Sequence, residues 1–345
     1  MKLFETAQLG KLTLKNKFVM APMTRSRAIG NTPNELIVEY YAQRAGAGLI
    51  ITEGTSPSPN GLGYARIPGL FNKTQAAAWK KVTDAVHAKG SKIFVQLMHT
   101  GRISHAANLP AGAKILAPSA IAAAGEMWTD QNGNQPLPTP LEMTSQEIES
   151  TIQEFIESAK LAVNEAGFDG VEIHSANGYL IDQFFNPKSN HRKDIYGTNR
   201  AEFALRVTTG IAHAIGAEKT GIRISPYGTF NDLATFADVD EFYTDFAKKI
   251  SELGLAYVHV IDHGKGNVKK MVRENFKSTY ILSTGYDANR AEYDLQAGNG
   301  DLVAFGRAFI ANPDYVEKVR KGIPLREMDA TKLYTPGPEG FTDYN

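Results

Sequence analysis

The chain has 345 residues, no cysteine, and 37 basic against 37 acidic side chains for a net charge of +0. Zero Cys excludes disulfides, thiolate nucleophiles, Cys-ligated zinc and iron–sulfur clusters, and the charge balance argues against a general nucleic-acid or polyanion binder. A hydrophobic share of 42% and a charged share of 21% are those of a globular protein with ample material for a core.

In chain order, the opening Met1-Lys2-Leu3-Phe4-Glu5 has no apolar signal-peptide stretch. No later run approaches the roughly 20 apolar residues that span a bilayer. The expectation is a cytoplasmic protein with no membrane partner, monomeric or homodimeric. Short apolar, β-branched runs then alternate with helical patterns. Strands are expected at 18–20, 49–52, 92–97, 170–174, 221–225, 257–261, 280–283 and 302–305. Eight such runs, each followed by a helix, predict one α/β domain over 1–345, a closed (β/α)8 TIM barrel. Thr144-Ser145-Gln146-Glu147 is a capping-box pattern opening a helix with Ile148, Ile152, Phe155, Ile156 and Ala159 on one stripe, which Gly167 ends. Helical stripes also cover 76–88 and 200–215, and a further helix opens near Asp238 with Phe242, Phe246 and Ile250. The outsized connection at 99–143, rich in Gly and Pro, is expected to be a lid after strand three.

Barrel active sites lie at the C-terminal ends of the strands. The polar residues there are Thr24, Glu53, Gln96, His174, Arg223, Ser283 and Arg307. Alternation along 170–174 turns Val171 and Ile173 outward, leaving Glu172 and His174 inside; along 221–225 it turns Arg223 inward. An interior guanidinium needs an anion. That anion is either Glu172 or an electron-rich cofactor. Gly306-Arg307, opening a helical turn after strand eight, with Thr284-Gly285 after strand seven, is a phosphate-site pattern. If a helical turn starts at the end of strand four, His174 and Asn177 face the same way and can grip one substrate oxygen. Tyr179 brings an acidic phenol close by.

These segments resemble a known family. Ala21-Pro22-Met23-Thr24-Arg25-Ser26-Arg27, Gln96-Leu97-Met98-His99-Thr100-Gly101-Arg102, His174-Ser175-Ala176-Asn177-Gly178-Tyr179, Gly221-Ile222-Arg223-Ile224-Ser225-Pro226 and Ala304-Phe305-Gly306-Arg307 are similar to the Old Yellow Enzyme family of FMN-dependent ene-reductases. The resemblance covers nearly the whole chain. It implies bound FMN, with NADPH as reductant and NADH as an alternative, and no metal. Thr24, Gln96 and Arg223 would contact the flavin ring, Pro22, Met23 and Gly54 would line it through their backbones, and Gly285, Gly306 and Arg307 would hold the phosphate. His174 and Asn177 would hold the carbonyl or nitro oxygen of an activated alkene. Hydride would pass from flavin N5 to the β-carbon while Tyr179 protonates the α-carbon, in a ping-pong cycle. Tyr64 and Tyr334 would border the substrate or serve only as rim aromatics. The chain departs from the family pattern at Met98, where Trp is frequent, at the short Tyr196-Gly197-Thr198-Asn199-Arg200 stretch, and at Thr284-Gly285, where a Gly pair is common. The competing reading is a metal-dependent barrel hydrolase using His99, His174, His259 and His263.

Overall fold

The computed structural model describes residues 1–344; the expected domain runs on to Asn345, which lies outside the described residues. Eight parallel strands close into a barrel: β1 (Phe18–Met20), β2 (Leu49–Thr55), β3 (Lys92–Leu97), β4 (Gly170–Ser175), β5 (Thr220–Ile224), β6 (Tyr257–Ile261), β7 (Thr279–Ser283) and β8 (Leu302–Phe305). Strands adjacent in sequence pair, and β8 returns to β1. β2 outruns its expected end because a register shift between Ile51 and Gly54 carries it on to Thr55. The helices that follow β1 to β8 in turn are α1 (Glu35–Gln43), α2 (Lys73–His87), α3 (Ser145–Asn164), α4 (Glu202–Ile215), α5 (Val239–Glu252), α6 (Val268–Asn275), α7 (Ala288–Gln296) and α8 (Tyr315–Lys321).

Local chemistry explains the boundaries. The Thr144 hydroxyl accepts from Glu147 N at 3.2 Å while the Glu147 carboxylate accepts from Thr144 N at 2.9 Å, so two otherwise unsatisfied donors at the start of α3 are met. Gly167, at φ +75°, ends the segment in a conformation costly for other residues. Asp238 precedes α5 but makes no capping bond, because its carboxylate pairs with Arg200. The short 196–200 stretch forms a one-turn helix, Ile195–Thr198, capped by Asp194.

Two apolar layers separate the faces of the barrel. Val171, Ile173, Ile222, Ile224, Val258 and Val260 face outward and share a buried cluster with Phe155, Val207 and Phe246 of the helices. Val19, Leu49, Ile51, Phe94, Tyr257 and Ile281 face inward. Beneath them Leu9 and Leu14, from an antiparallel hairpin of Ala7–Leu9 with Leu12–Leu14, join the same cluster and stop the bottom of the barrel. Lys11 at its tip bonds Glu218 just ahead of β5 at 2.9 Å.

Two segments extend the opposite face. The long β3–α3 connection carries a hairpin, Glu126–Thr129 with Gly133–Pro136, and a short parallel pair, Leu116–Ala117 with Leu141–Glu142. After α8 the chain returns as a strap gripped by buried arginines. Arg25 donates to Gly340 O at 2.6 Å, Arg27 to Lys332 O and Glu339 O, each at 2.8 Å, and Arg44 to Phe341 O at 3.3 Å. Phe341 stacks on Tyr40 with 4.1 Å between ring centroids.

Candidate active site

Strand register explains which polar side chains meet. Glu172 on β4 lies opposite Gln96 on β3, His174 opposite Arg223 on β5, and Arg223 opposite His259 on β6. All five are buried inside the barrel. Glu172 accepts from Gln96 Nε2 at 2.8 Å and lies 2.8 Å from His259 Nδ1. Burial pushes the Glu172 carboxyl up, but His259, Arg223 and Gln96 together hold it below the usual carboxylate range. Gly221 is needed in β5 because a Cβ there would lie 2.2 Å from the Tyr257 ring, which fills the level below.

Arg223 is the outlier. The ion pair with Glu172 that one reading of the sequence allowed does not form, since that carboxylate is taken by Gln96 and His259. Arg223 is 9% exposed, and among the described residues neither its Nε nor His259 Nε2 has a partner. Burial lowers the pKa of Arg223, with Glu172 opposing. A buried cation left without hydrogen bonds is unfavourable in a protein interior, and an anionic, multiply accepting ligand would satisfy it.

The segment after β4 is a tight turn and not the helical turn expected. Asn177 and Gly178 have φ of 58° and 72°, and the next helix spans Leu180–Phe185. Gly178 is required twice, by that φ and because a Cβ would sit 2.5 Å from Phe230 O. The buried Asp182 carboxylate accepts from Gly178 N at 2.9 Å and from Ser225 Oγ at 3.2 Å, and Ser225 Oγ accepts from Asn177 N at 2.9 Å. Burial pushes the Asp182 carboxyl up to about 7 against those donors. Asn177 thus has a fixed backbone, while its side-chain amide bonds to none of the described residues. His174 Nδ1 is also without a partner. Burial, then the charges of Arg223 and His259, holds the His174 imidazole well below its ordinary pKa, so it is neutral at pH 7. The Tyr179 ring meets the His174 ring edge-on at 5.0 Å, and its hydroxyl is 3.0 Å from Tyr64 Oη. Burial keeps the Tyr179 phenol protonated well above pH 10.

Over this turn opens a cavity of about 960 Å³ whose walls include Thr24, Tyr64, Tyr179 and Tyr334. Four expected site residues are thereby brought to one space. Pro22, Met23, Gly54, Gln96, His174, Asn177, Arg223, Gly285, Gly306 and Arg307 lie outside its walls. The side of Gly54 that lacks a side chain is filled by Met98, whose Sδ would be 2.5 Å from a Cβ there. Met98 joins Leu62, Ile103, Met127 and Tyr179 in a small apolar cluster under the lid hairpin. Thr284 and Gly285, both at positive φ, are exposed after β7. Gly306 begins the turn Arg307–Ala311, and the exposed Arg307 side chain bonds to none of the described residues. The buried, unbonded Arg223 at one end and this free arginine beside a glycine at the other suit a ligand with an electron-rich ring and a phosphate, as FMN has.

Sequence reasoning missed Arg66, Trp128, Asp130, Asp182 and Phe230, none of which lies in a pattern that marks it, and it quoted Ser225 within a motif without assigning it the bonds to Asp182 and Asn177. The metal-hydrolase histidines do not assemble. His99 is buried with its Nδ1 accepting from Gly101 N at 3.1 Å, His263 is exposed, and His259 is engaged by Glu172. Among the described residues no group of three or more His, Cys, Asp or Glu side chains is placed to hold a metal ion. Nor is any helix among them long and apolar enough to cross a membrane.

Comparison with known proteins agrees with this architecture. The profile of the NADH:flavin oxidoreductase / NADH oxidase family matches residues 2–326. Chanoclavine-I aldehyde reductase fgaOx3 of Penicillium roqueforti is 41% identical over 99% of this chain and 96% of its own. The solved Old Yellow Enzyme homologue of Zymomonas mobilis superposes with a TM-score of 0.95 at 36% identity, covering 100% of this chain and 99% of that one. Morphinone reductase, solved in complex with tetrahydroNAD, gives a TM-score of 0.94 at 39% identity, covering 100% and 97%. The chain belongs to the NADH:flavin oxidoreductase / NADH oxidase family, the Old Yellow Enzymes, FMN-dependent oxidoreductases that reduce alkenes with NAD(P)H.

Proposed function

We propose that this protein reduces the C=C bond of α,β-unsaturated carbonyl or nitro compounds, with His174, Asn177 and Tyr179 as the groups that act on the substrate. The observation that carries this reading is the turn from His174 to Tyr179, which holds a neutral imidazole, an unbonded amide and a protonated phenol together, with none of the described residues bonded to the first two. Arg223, Gln96 and Thr24 would hold the flavin ring of FMN against Pro22, Met23 and Gly54, and Gly285, Gly306 and Arg307 its phosphate. Bound FMN supplies the hydride, accepted from NAD(P)H and delivered to the β-carbon of the alkene.

The residues of the turn do the rest. Donors from His174 and Asn177 meet the substrate oxygen and stabilise the negative charge that grows there as hydride arrives, an oxyanion-type effect. Because His174 is neutral, it acts through its N–H dipole without giving up a proton. Tyr179 delivers its phenolic proton to the α-carbon, and Tyr64, 3.0 Å away, passes a proton back from the cavity. Tyr334 lines the far wall.

NADPH is the proposed reductant; NADH is the second reading, favoured by the complex of the related morphinone reductase with tetrahydroNAD. Purified protein is expected to be yellow and, without oxygen, to oxidise NAD(P)H faster when 2-cyclohexenone is added. A preparation that stays colourless with added FMN, or turnover that the enone does not accelerate, would contradict the proposal. Tyr179→Phe is expected to slow re-oxidation by the enone by about a hundredfold or more while leaving reduction by NAD(P)H intact in stopped-flow traces. Equal loss in both half-reactions would remove Tyr179 from the role of proton donor.

A further inference from the structure

Four large apolar side chains, Ile29, Trp128, Phe230 and Tyr334, are 55–60% exposed, and all four line the one cavity. Exposed apolar groups scattered singly mean little; gathered around one opening they form a surface made to be covered. They come from four separate segments: the β1–α1 loop, the lid hairpin, the loop after β5 and the C-terminal strap. Such segments need a device to hold them in one ring.

Arg66 is that device for three of them. Its Nε donates to Ser26 O in the β1–α1 loop at 2.9 Å, its Nη2 donates to Tyr334 O in the strap at 2.8 Å, and its Nη1 pairs with Asp130 in the lid hairpin. Asp130 in turn accepts from Trp128 Nε1 at 3.2 Å, which fixes the indole in the ring. Arg66 and Ser26 are both non-glycine residues with φ of 57°, and Ala28 N donates to Arg66 O at 2.9 Å. Left-handed backbone at two residues that bond each other on a cavity wall is strain of the kind that clusters at functional sites. The fourth segment is tied separately, by Asn231 Nδ2 to Asn177 O at 2.8 Å and by Ala124 N to Asp232 at 3.0 Å.

We infer that Arg66 is a specificity-determining positioning residue: it clamps Ile29, Trp128 and Tyr334 into an apolar collar that selects alkenes carrying a bulky hydrophobic body on the side away from the reacting bond. The inference rests on the ene-reductase reading of the site. A cavity of about 960 Å³ is near the upper end of the roughly 300–1,000 Å³ of drug-sized ligand pockets; it reaches from Thr24, where the edge of the flavin ring is proposed to sit, out to the collar, and extends well past a one-ring enone held at Tyr179. The collar surrounds the outer part of that volume, while Tyr179 marks its inner end.

N-substituted maleimides separate the two parts, because the alkene and its carbonyls stay constant while the substituent grows. The chain has no cysteine, so thiol alkylation does not interfere. The wild-type holoenzyme is expected to prefer N-(1-naphthyl)maleimide over N-ethylmaleimide by about tenfold in kcat/KM, through KM, as apolar burial of the extra rings implies. Arg66→Met is expected to reduce that preference about tenfold, again through KM. Asp130→Asn, an exposed change that cuts one of the three ties, is expected to reduce it in the same direction and keeps the test open should Arg66→Met not fold. Equal KM for both maleimides in the wild type, or a preference unchanged in Asp130→Asn and in folded Arg66→Met, would overturn the collar while leaving the ene-reductase reading intact. Turnover of neither maleimide by yellow wild-type protein would overturn that reading and the collar with it.

Discussion

Glu172 has the most consequential surroundings of any single residue in the barrel. It takes one N–H of Gln96, which fixes the orientation of that amide and leaves Gln96 Oε1 free to accept from a ligand. It also neutralises the space beneath Arg223 without consuming Arg223 itself. Glu172→Gln removes the negative charge that faces both His259 and Arg223. The expected result is FMN affinity weakened by about tenfold, read from fluorescence quenching on titrating the apoprotein, in a variant of unchanged circular dichroism. Affinity equal to wild type would mean that Gln96 is oriented by something else. At this scale the sequence was only half legible. Period-two alternation turned Glu172, His174 and Arg223 inward correctly. It could not decide the partner of Glu172, because Gln96 and His259 reach it across strands far apart in the chain.

Among the elements, α3 shows how local chemistry sets a boundary. The capping box at Thr144 and Glu147 was readable from four letters, and both of its bonds form. Thr144→Ala should cost about 1 kcal/mol of stability, seen as a lower denaturation midpoint with no change in maleimide or enone turnover. A larger loss would mean that Thr144 supports the lid as well as the helix. The eight strands were legible for a similar reason, as short apolar runs between helical stripes. The turn after β4 was not. Its left-handed Asn177 and Gly178 answer to Asp182, Ser225 and Phe230, which arrive from a later helix and from β5 and its loop. The lid hairpin was foreseen as a loop or lid, but its tie to the strap runs through Arg66, whose bond to Tyr334 O spans 268 residues and leaves no periodic trace.

For the whole molecule, buried titratable groups shape the response to acid. Burial lowers the His99 pKa from 6.5 to about 3. The unfolded chain therefore takes up a proton below about pH 6.5 that folded His99 refuses, so stability falls as pH drops from about 6.5 toward 3. Asp182 and Glu53, raised by burial to about 7, act in the opposite sense, since the folded form keeps their protons as pH rises from about 4 to 7. Comparison with His99→Gln isolates the histidine. Between pH 6 and 4 the variant's stability is expected to change with a slope differing by about 1.4 kcal/mol per pH unit, measured by urea titration. Parallel curves would mean that His99 is protonated in the folded state.

The inward layer of the barrel, with the hairpin of Ala7–Leu14 beneath it, shuts the site from below. Leu9 and Leu14 complete that floor, so traffic to the His174–Tyr179 turn would pass the collar above. Two visitors that share a doorway cannot cross on the threshold. On the proposed function, the reductant would have to leave before the alkene enters, and a crowd of either would keep the other outside. Order of events, which many enzymes impose by moving domains, would here follow from a packed floor that touches neither visitor.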